Sequence, residues 1–527
     1  MPSSLTPSGD DESGATTTAG RPWVFLLSWA IALVVLGALV RAPGLGRSLW
    51  LDELTTAWVC GTDEGTLLER AWLNNLSPLY YTIVNASIVL WGYTEVGLRM
   101  PSFLAGLAVI PAALLFAHHY LRSRTVAVVL SLIVTFDPVF VRYAFEARPY
   151  SMIMLLSLFQ VHMWLSLYTK PSFVRGAVCG IAMAILTYLH YTTLLLAGAE
   201  WLFLACALVT PSKTLRPRLT ALIFPFLVAA VLCLPMVPHI LYLANSKDTL
   251  SFAPDRPVLD VITKFGLHHY VLYTVVVGIV VDQLLRKTWR HTTGTGSILP
   301  PAILFAFSIF WFAIPVGTLR LLHETDIARI DVDRYVIASA LAPIMGLGAI
   351  VMLCRSRITR VVCLALGCVG CAVAIYHATS GFSDPGRPYS TINDWRSSVT
   401  YLAEAAADDT PIFVWAGLTE TNWLDVDSRP ILESYLLCPV NSLYRLNGPE
   451  FDGRVMPMAF GDSELIHRRQ VAMLSRKGGA WLLVMEQARR REGLLNALQS
   501  QLDASGVSAT VESEQFAGVV VVHIVVR

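Results

Sequence analysis

The chain has 527 residues, of which 55% are hydrophobic and only 15% charged, where soluble domains run roughly 45–50% and about 25%. That balance excludes an ordinary soluble globule, and a net charge of +1 leaves no basic excess with which to hold nucleic acid. The nine cysteines are mostly scattered. The one Cys-x-x-Cys, Cys368 to Cys371, lies in an apolar run with no second pair nearby, and reads as two thiols on a membrane helix rather than a metal or redox centre.

In chain order, residues 1–21 are rich in Ser, Thr, Gly and Asp and read as a disordered tail. Apolar segments then follow one another to residue 377. At about 20 residues per crossing they predict about eleven spans, near 22–41, 98–118, 125–141, 150–168, 174–190, 192–209, 219–243, 259–284, 299–319, 335–354 and 361–377. The first run is long and lacks a small-residue cleavage site, so it reads as a retained helix rather than a signal peptide. Ser77 to Trp91 is apolar but short for a crossing, and carries Asn85 and Ser87. It reads as a helix lying along the outer interface.

Alternate connections are short and basic: 121–124, 170–175, 213–218, 286–290 and 355–360. The positive-inside rule places these in the cytoplasm of a multi-pass cell-membrane protein. Loops 42–97, 142–149, 190–191, 244–258 and 320–334 then face outward, as does everything from about residue 378.

The outward loops collect the unusual polar groups. Asp52 and Glu53 sit just past the first span, between Trp50 and Trp58. Carboxylates beside a membrane are functional candidates, while a polar loop with an aromatic interfacial anchor explains the same residues. Both readings stay open on these residues alone. The second loop brings Glu146, Arg148 and Tyr150, which serve either a site or a structural ion pair capping a helix end. The last loop brings Arg320, His323, Asp331 and Arg334, with Tyr335 just beyond, and Arg334-Tyr335 fits a ligand or an interfacial anchor equally well. Arginine forks bind phosphate oxygens bidentately, and a carboxylate can deprotonate a hydroxyl, so the layout suits chemistry on a charged lipid headgroup. His190, His268, His269 and His323 show no metal-ligand spacing and read as ordinary polar residues. Asp137-Pro138 reads as a helix end.

From about residue 383 charged residues rise and apolar runs shorten. Asn393-Asp-Trp-Arg396 opens a predicted helix to Ala407; strands are predicted at 411–416, 480–485 and 519–526, and a helix at 487–502. The division expected is a tail (1–21), a membrane domain (22–377) and a soluble α/β domain (378–527).

The ordered set Leu49-Trp-Leu-Asp-Glu53, Ser77-Pro-Leu-Tyr-Tyr81, Leu98-Arg-Met-Pro-Ser-Phe-Leu-Ala-Gly106 and Glu146-Ala-Arg-Pro-Tyr150 resembles the GT-C superfamily of membrane glycosyltransferases. The likeness is to bacterial relatives of protein O-mannosyltransferases and of the aminoarabinose transferase that modifies lipid A, and it covers roughly residues 22–345. It implies an α-helical polytopic GT-C fold and an inverting transfer from a polyprenyl-phosphate-linked sugar to an outward acceptor, be it glycan, lipid or protein. It also implies Asp52 as catalytic base with Glu53 beside it, Glu146, Arg148 and Tyr150 in support, and Arg334-Tyr335 on the lipid phosphate. No cofactor is required, though relatives that bind a divalent cation between two carboxylates would place it on Asp52 and Glu146. Where the family often has His-Pro-Pro, this chain has Leu76-Ser77-Pro78, which removes any histidine role there. The Asp-Trp-Arg after the last span is similar to a segment of such relatives that implies a docked outer domain, although a simple helix start with Asp394 near its N-terminus is the preferred reading. Two other functions compete. A lipid or glycan transporter or flippase would place polar groups near the midplane and show repeats, and an envelope-binding scaffold would be indifferent to Asp52→Asn.

Overall fold

Long apolar runs close their backbone hydrogen bonds internally, as a bilayer requires, and the chain builds a helical bundle from them. The computed structural model describes residues 22–209, 219–245, 299–354, 357–380, 393–406, 409–418, 420, 430–446, 448–458, 477–485, 500, 503 and 508–526. Among these, six helices are long and apolar enough to cross a membrane, or eight spans if each of two bent pairs counts as one. The described residues therefore do not confirm the predicted number of eleven. The segment 259–284 lies outside the described residues, as do the basic loops at 213–218 and 286–290, the tail and all but residue 500 of the helix at 487–502, and Phe173–Leu189 has only 17 residues.

The first span, α1 (Pro22–Arg41), is followed by three shorter helices, α2 (Leu51–Gly61), α3 (Leu67–Leu73) and α4 (Pro78–Trp91). At 1.5 Å per residue α4 is about 21 Å long, short of the roughly 30 Å hydrocarbon core. It packs on α5 (Glu95–Leu121), where the Ser87 hydroxyl donates to the Gly97 carbonyl at 2.6 Å.

The next predicted span is broken. Helix α6 (Arg124–Phe136) meets α7 (Pro138–Ala144) at 55°. Pro138 has no N–H to continue the ladder, and the Asp137 side chain caps the new start by accepting from the Val139 N–H at 3.0 Å. The carbonyls near the break are taken by Arg41, fully buried at the end of α1, which donates to Thr135 at 2.7 Å and Val134 at 3.1 Å. A buried arginine is tolerated here because backbone oxygens satisfy its donors. Gly106 on α5 lets α7 approach; a Cβ there would stand 2.5 Å from that of Ala144.

Helices α8 (Tyr150–Thr169), α9 (Phe173–Leu189) and α10 (Leu194–Val209) follow, then Leu219–Asn245, Pro301–Glu324, the bent pair Asp333–Ser339 and Ala342–Leu353, and Arg357–Ser380. The C-terminal domain is a five-stranded sheet of order β2-β1-β3-β5-β4, with β1 Ile412–Trp415, β2 Val455–Pro457, β3 Gly479–Met485, β4 Ala509–Phe516 and β5 Val519–Val526. The first three pair in parallel, and β5 runs antiparallel to β3 and β4. The three predicted strands are present. The strand β4 escaped the sequence reading because an edge strand buries little, and its centre, Glu512 to Gln515, is exposed polar residues.

Asp394-Trp395-Arg396 both starts a helix and contacts the 42–97 segment. Asp394 caps the helix Trp395–Ala405 by accepting from the Ser397 N–H at 3.2 Å, and Arg396 reaches Glu95 at 2.5 Å and the Gly46 carbonyl at 2.9 Å. Trp58 packs edge-on against Tyr435 at 5.2 Å and donates to Ser434 at 3.0 Å. One hydrophobic core runs from the helices through Trp58 into Trp395, Tyr435 and Cys438, so the sheet domain is seated on the 42–97 segment.

Candidate active site

The junction between the helical bundle and the sheet domain encloses a cavity of about 590 Å³, within the range of small-molecule sites. Its walls come from distant parts of the chain. Asp52 and Thr55 stand on α2, Asn74, Asn75 and Leu76 follow α3, Arg148 precedes α8, His190 and Thr192 follow α9, and Arg334 and Tyr335 open the late span. The sheet domain closes it with Gly417, Glu420, Tyr435 and Met485.

The adjacent carboxylates diverge. Successive helical residues are turned by about 100°, so Asp52 and Glu53 at the start of α2 cannot face the same way. Asp52 lines the cavity, with Oδ2 3.5 Å from Arg334 Nη1. Glu53 is fully buried and lies off the cavity wall. Its oxygens accept from Arg99 at 2.5 and 2.7 Å, from the Ala147 N–H at 2.7 Å and from the Trp50 N–H at 3.2 Å. Arg99 spends its other donors on the carbonyls of Gly44, Leu45, Arg47 and Ser48. The pair thus fixes the turn from which α2 starts, and with it the direction of Asp52. The sequence reading missed Arg99. Its signal was a lone arginine at the start of an apolar span, which is a functional or structural marker by default.

Glu146 and Arg148 do not pair with one another. Glu146 binds Arg142 at 2.7 Å, is buried, and stands behind the cavity wall. Burial pushes its carboxyl up against the pull of Arg142, and the charges of Glu53 and Asp52 push the same way. Among the described residues its Oε2 has no hydrogen-bond partner. Arg148 reaches the wall. It donates to the Asp52 carbonyl at 3.2 Å and lies 3.5 Å from the Thr56 hydroxyl, while its own carbonyl accepts from Ser102 at 2.6 Å. Burial opposes its charge, and Tyr150 and Asp52 outweigh burial, so its pKa is held above the usual arginine value. Tyr150 is buried behind the wall, 4.9 Å from the ring of Tyr143 and 6.4 Å from that of His190. Arg334 lies over Trp50 and Tyr335, 5.8 and 5.7 Å from their ring centres.

Of the predicted site residues, the cavity therefore gathers Asp52, Arg148, Arg334 and Tyr335, and leaves Glu53, Glu146 and Tyr150 around it. It adds His190, Asn75 and Glu420, the last two joined at 3.1 Å. Among the described residues no three or more His, Cys, Asp or Glu side chains form a metal-holding group. Asp52 lines the cavity, whereas Glu146 is buried off it with its Oε1 on Arg142. Away from the cavity, Gln160 donates to both oxygens of Glu200 at 2.7 Å inside the bundle.

A bundle of apolar, membrane-length helices with a broken early span, capped over a cavity by a small sheet domain, is the polytopic helical architecture with a C-terminal α/β domain expected from the sequence. Among solved structures, ArnT from Cupriavidus metallidurans bound to undecaprenyl phosphate matches with a TM-score of 0.52 and 12% identity, over 94% of this chain and 98% of that one. The same protein in the apo state matches with a TM-score of 0.41 and 14% identity, over 94% and 98%. At these identities the likeness is one of fold. No family model and no curated protein matches the chain.

Proposed function

We propose that this chain is an inverting glycosyltransferase that moves a sugar from a polyprenyl-phosphate carrier to an acceptor outside the cytoplasm. The observation that carries the reading is the cavity itself, where the Asp52 carboxylate meets the Arg334 guanidinium and Arg148 stands on the same wall, bonded to the Asp52 carbonyl. In that reading Asp52 takes the proton of the acceptor hydroxyl or amine as it attacks the anomeric carbon. The bond from that carbon to the phosphate oxygen breaks, and its electron pair stays on the departing lipid phosphate. Arg148 and Arg334 hold the phosphate as its charge grows, with Tyr335 beside them. The positive charge comes from the guanidinium groups, so no divalent cation is called for. The undecaprenyl phosphate in the ArnT structure supports a lipid-phosphate donor of this kind. The basic connections support an outward-facing cavity and sheet domain.

A transporter would keep its polar groups near the midplane. The Gln160–Glu200 pair is in its favour, but that pair does not line the cavity. Mass spectrometry of envelope glycans, lipids and proteins from cells carrying the intact chain or Asp52→Asn tests the proposal. Loss of one sugar from one acceptor is expected, with turnover down by about 10²–10⁴-fold and membrane insertion unchanged. An unaltered envelope would overturn it.

A further inference from the structure

His190 is the cavity residue whose chemistry the reaction above does not use. It sits in the short link between α9 and α10, only 8% exposed, with its ring 5.0 Å from that of Tyr335. Its Nδ1 accepts from the Thr192 backbone N–H at 3.4 Å and meets the Thr192 hydroxyl at 2.9 Å. A backbone N–H can only donate, so Nδ1 carries no proton, and a neutral ring must then carry it on Nε2. Among the described residues Nε2 has no partner, yet it is not sealed away as the orphaned Nε2 of His239 is. The ring therefore turns its back to Thr192 and presents Nε2–H to the cavity that it lines.

The surroundings keep the ring neutral. Burial, then the charges of Arg148 and Arg334, push its pKa down to about 3. Tyr150, Tyr335 and Thr192 stand against the ring, and the two carboxylates that line the same cavity, Asp52 and Glu420, do not reverse the downward shift. An uncharged N–H on the same cavity wall as both guanidinium groups is placed to meet whatever anion those groups hold.

We propose that His190 is a fixed neutral donor to the donor's phosphate, its Nε2–H bonding a phosphate oxygen alongside Arg148 and Arg334, with Thr192 holding the tautomer. The assignment rests on the lipid-phosphate reading above and gives the phosphate a third, directional ligand. Because the ring stays neutral it does not act as the proton donor to the leaving group. It stabilises charge without giving up its proton.

The test is binding of undecaprenyl phosphate to the full-length protein in nanodiscs, followed by native mass spectrometry. His190→Ala is expected to weaken binding by about tenfold, the worth of one hydrogen bond to a charged group. His190→Gln, which can place an N–H near the same point, is expected to restore most of it and controls for folding. The ratio of affinities for the intact chain and His190→Gln should stay constant between about pH 5.5 and 8, since the ring does not titrate there. A ratio that climbs in acid would show an imidazolium ligand and overturn the neutral-donor assignment. Binding by the intact chain that His190→Ala leaves untouched overturns the His190 assignment alone. Absence of binding by the intact chain overturns the lipid-phosphate reading and the assignment together.

Discussion

Asp52 and Arg334 face each other at 3.5 Å across the cavity, brought together from the first loop and the last. An arginine already paired with the base can trade that carboxylate for a phosphate. Donor binding would then both hold the lipid phosphate and release Asp52 toward the acceptor. Arg334→Ala should lower turnover by about 10²–10³-fold, the usual loss when one anion-stabilising donor is removed. Arg334→Lys should recover only part, because a point charge cannot hold the phosphate bidentately. Release of polyprenyl phosphate from labelled donor would measure both, and full activity in Arg334→Ala would refute the role.

Glu53→Gln should behave unlike Asp52→Asn although the two residues are neighbours. Losing the Glu53 charge leaves Arg99, 3% exposed, without its counter-ion, and breaking a buried pair costs about 3–5 kcal/mol. The Asp52–Arg334 pair is partly open to the cavity, so its loss should cost little stability. Thermal unfolding of the two variants in one detergent would separate them. Equal stability would contradict the structural role assigned to the Glu53–Arg99 pair.

Glu146 should make stability depend on pH. Its folded carboxyl holds its proton more tightly than an unfolded glutamate does. A raised folded pKa contributes stability that is complete below the unfolded value of about 4.3 and is lost as pH rises through the folded value. Glu146→Gln removes that dependence. The melting temperature of the variant relative to the intact chain should therefore climb from about pH 4 to 8. A difference that stays level, or that falls, would show that burial does not dominate this carboxyl.

Trp58→Ala should loosen the seat of the sheet domain. Trp58 is fully buried against Tyr435 and its N–H is bonded to Ser434, and truncating such a tryptophan costs about 3–5 kcal/mol. Limited proteolysis should then cut between the bundle and the sheet more readily than in the intact chain. Unchanged cleavage would mean that the polar contacts of Arg396 with Glu95 and the Gly46 carbonyl hold the domain unaided.

Membrane class, helix-rich fold and three of the five strands were legible in the chain, because apolar length and β-branched runs are local properties. Asp52, Arg148, Arg334 and Tyr335 were legible as well, because charge beside a membrane is rare enough to stand out. Folding alone decided which of two adjacent acids meets the cavity. Helical geometry turns Asp52 and Glu53 apart, and the choice between them was made by Arg99, whose five donors needed a carboxylate and four carbonyls at one corner. Folding likewise gave Glu146 to Arg142 rather than Arg148, and put His190 on the cavity wall it shares with Arg148 and Arg334, with its Nδ1 on Thr192. Such choices depend on which backbone oxygens and charges come within about 3 Å, and the order of residues along the chain does not carry that distance.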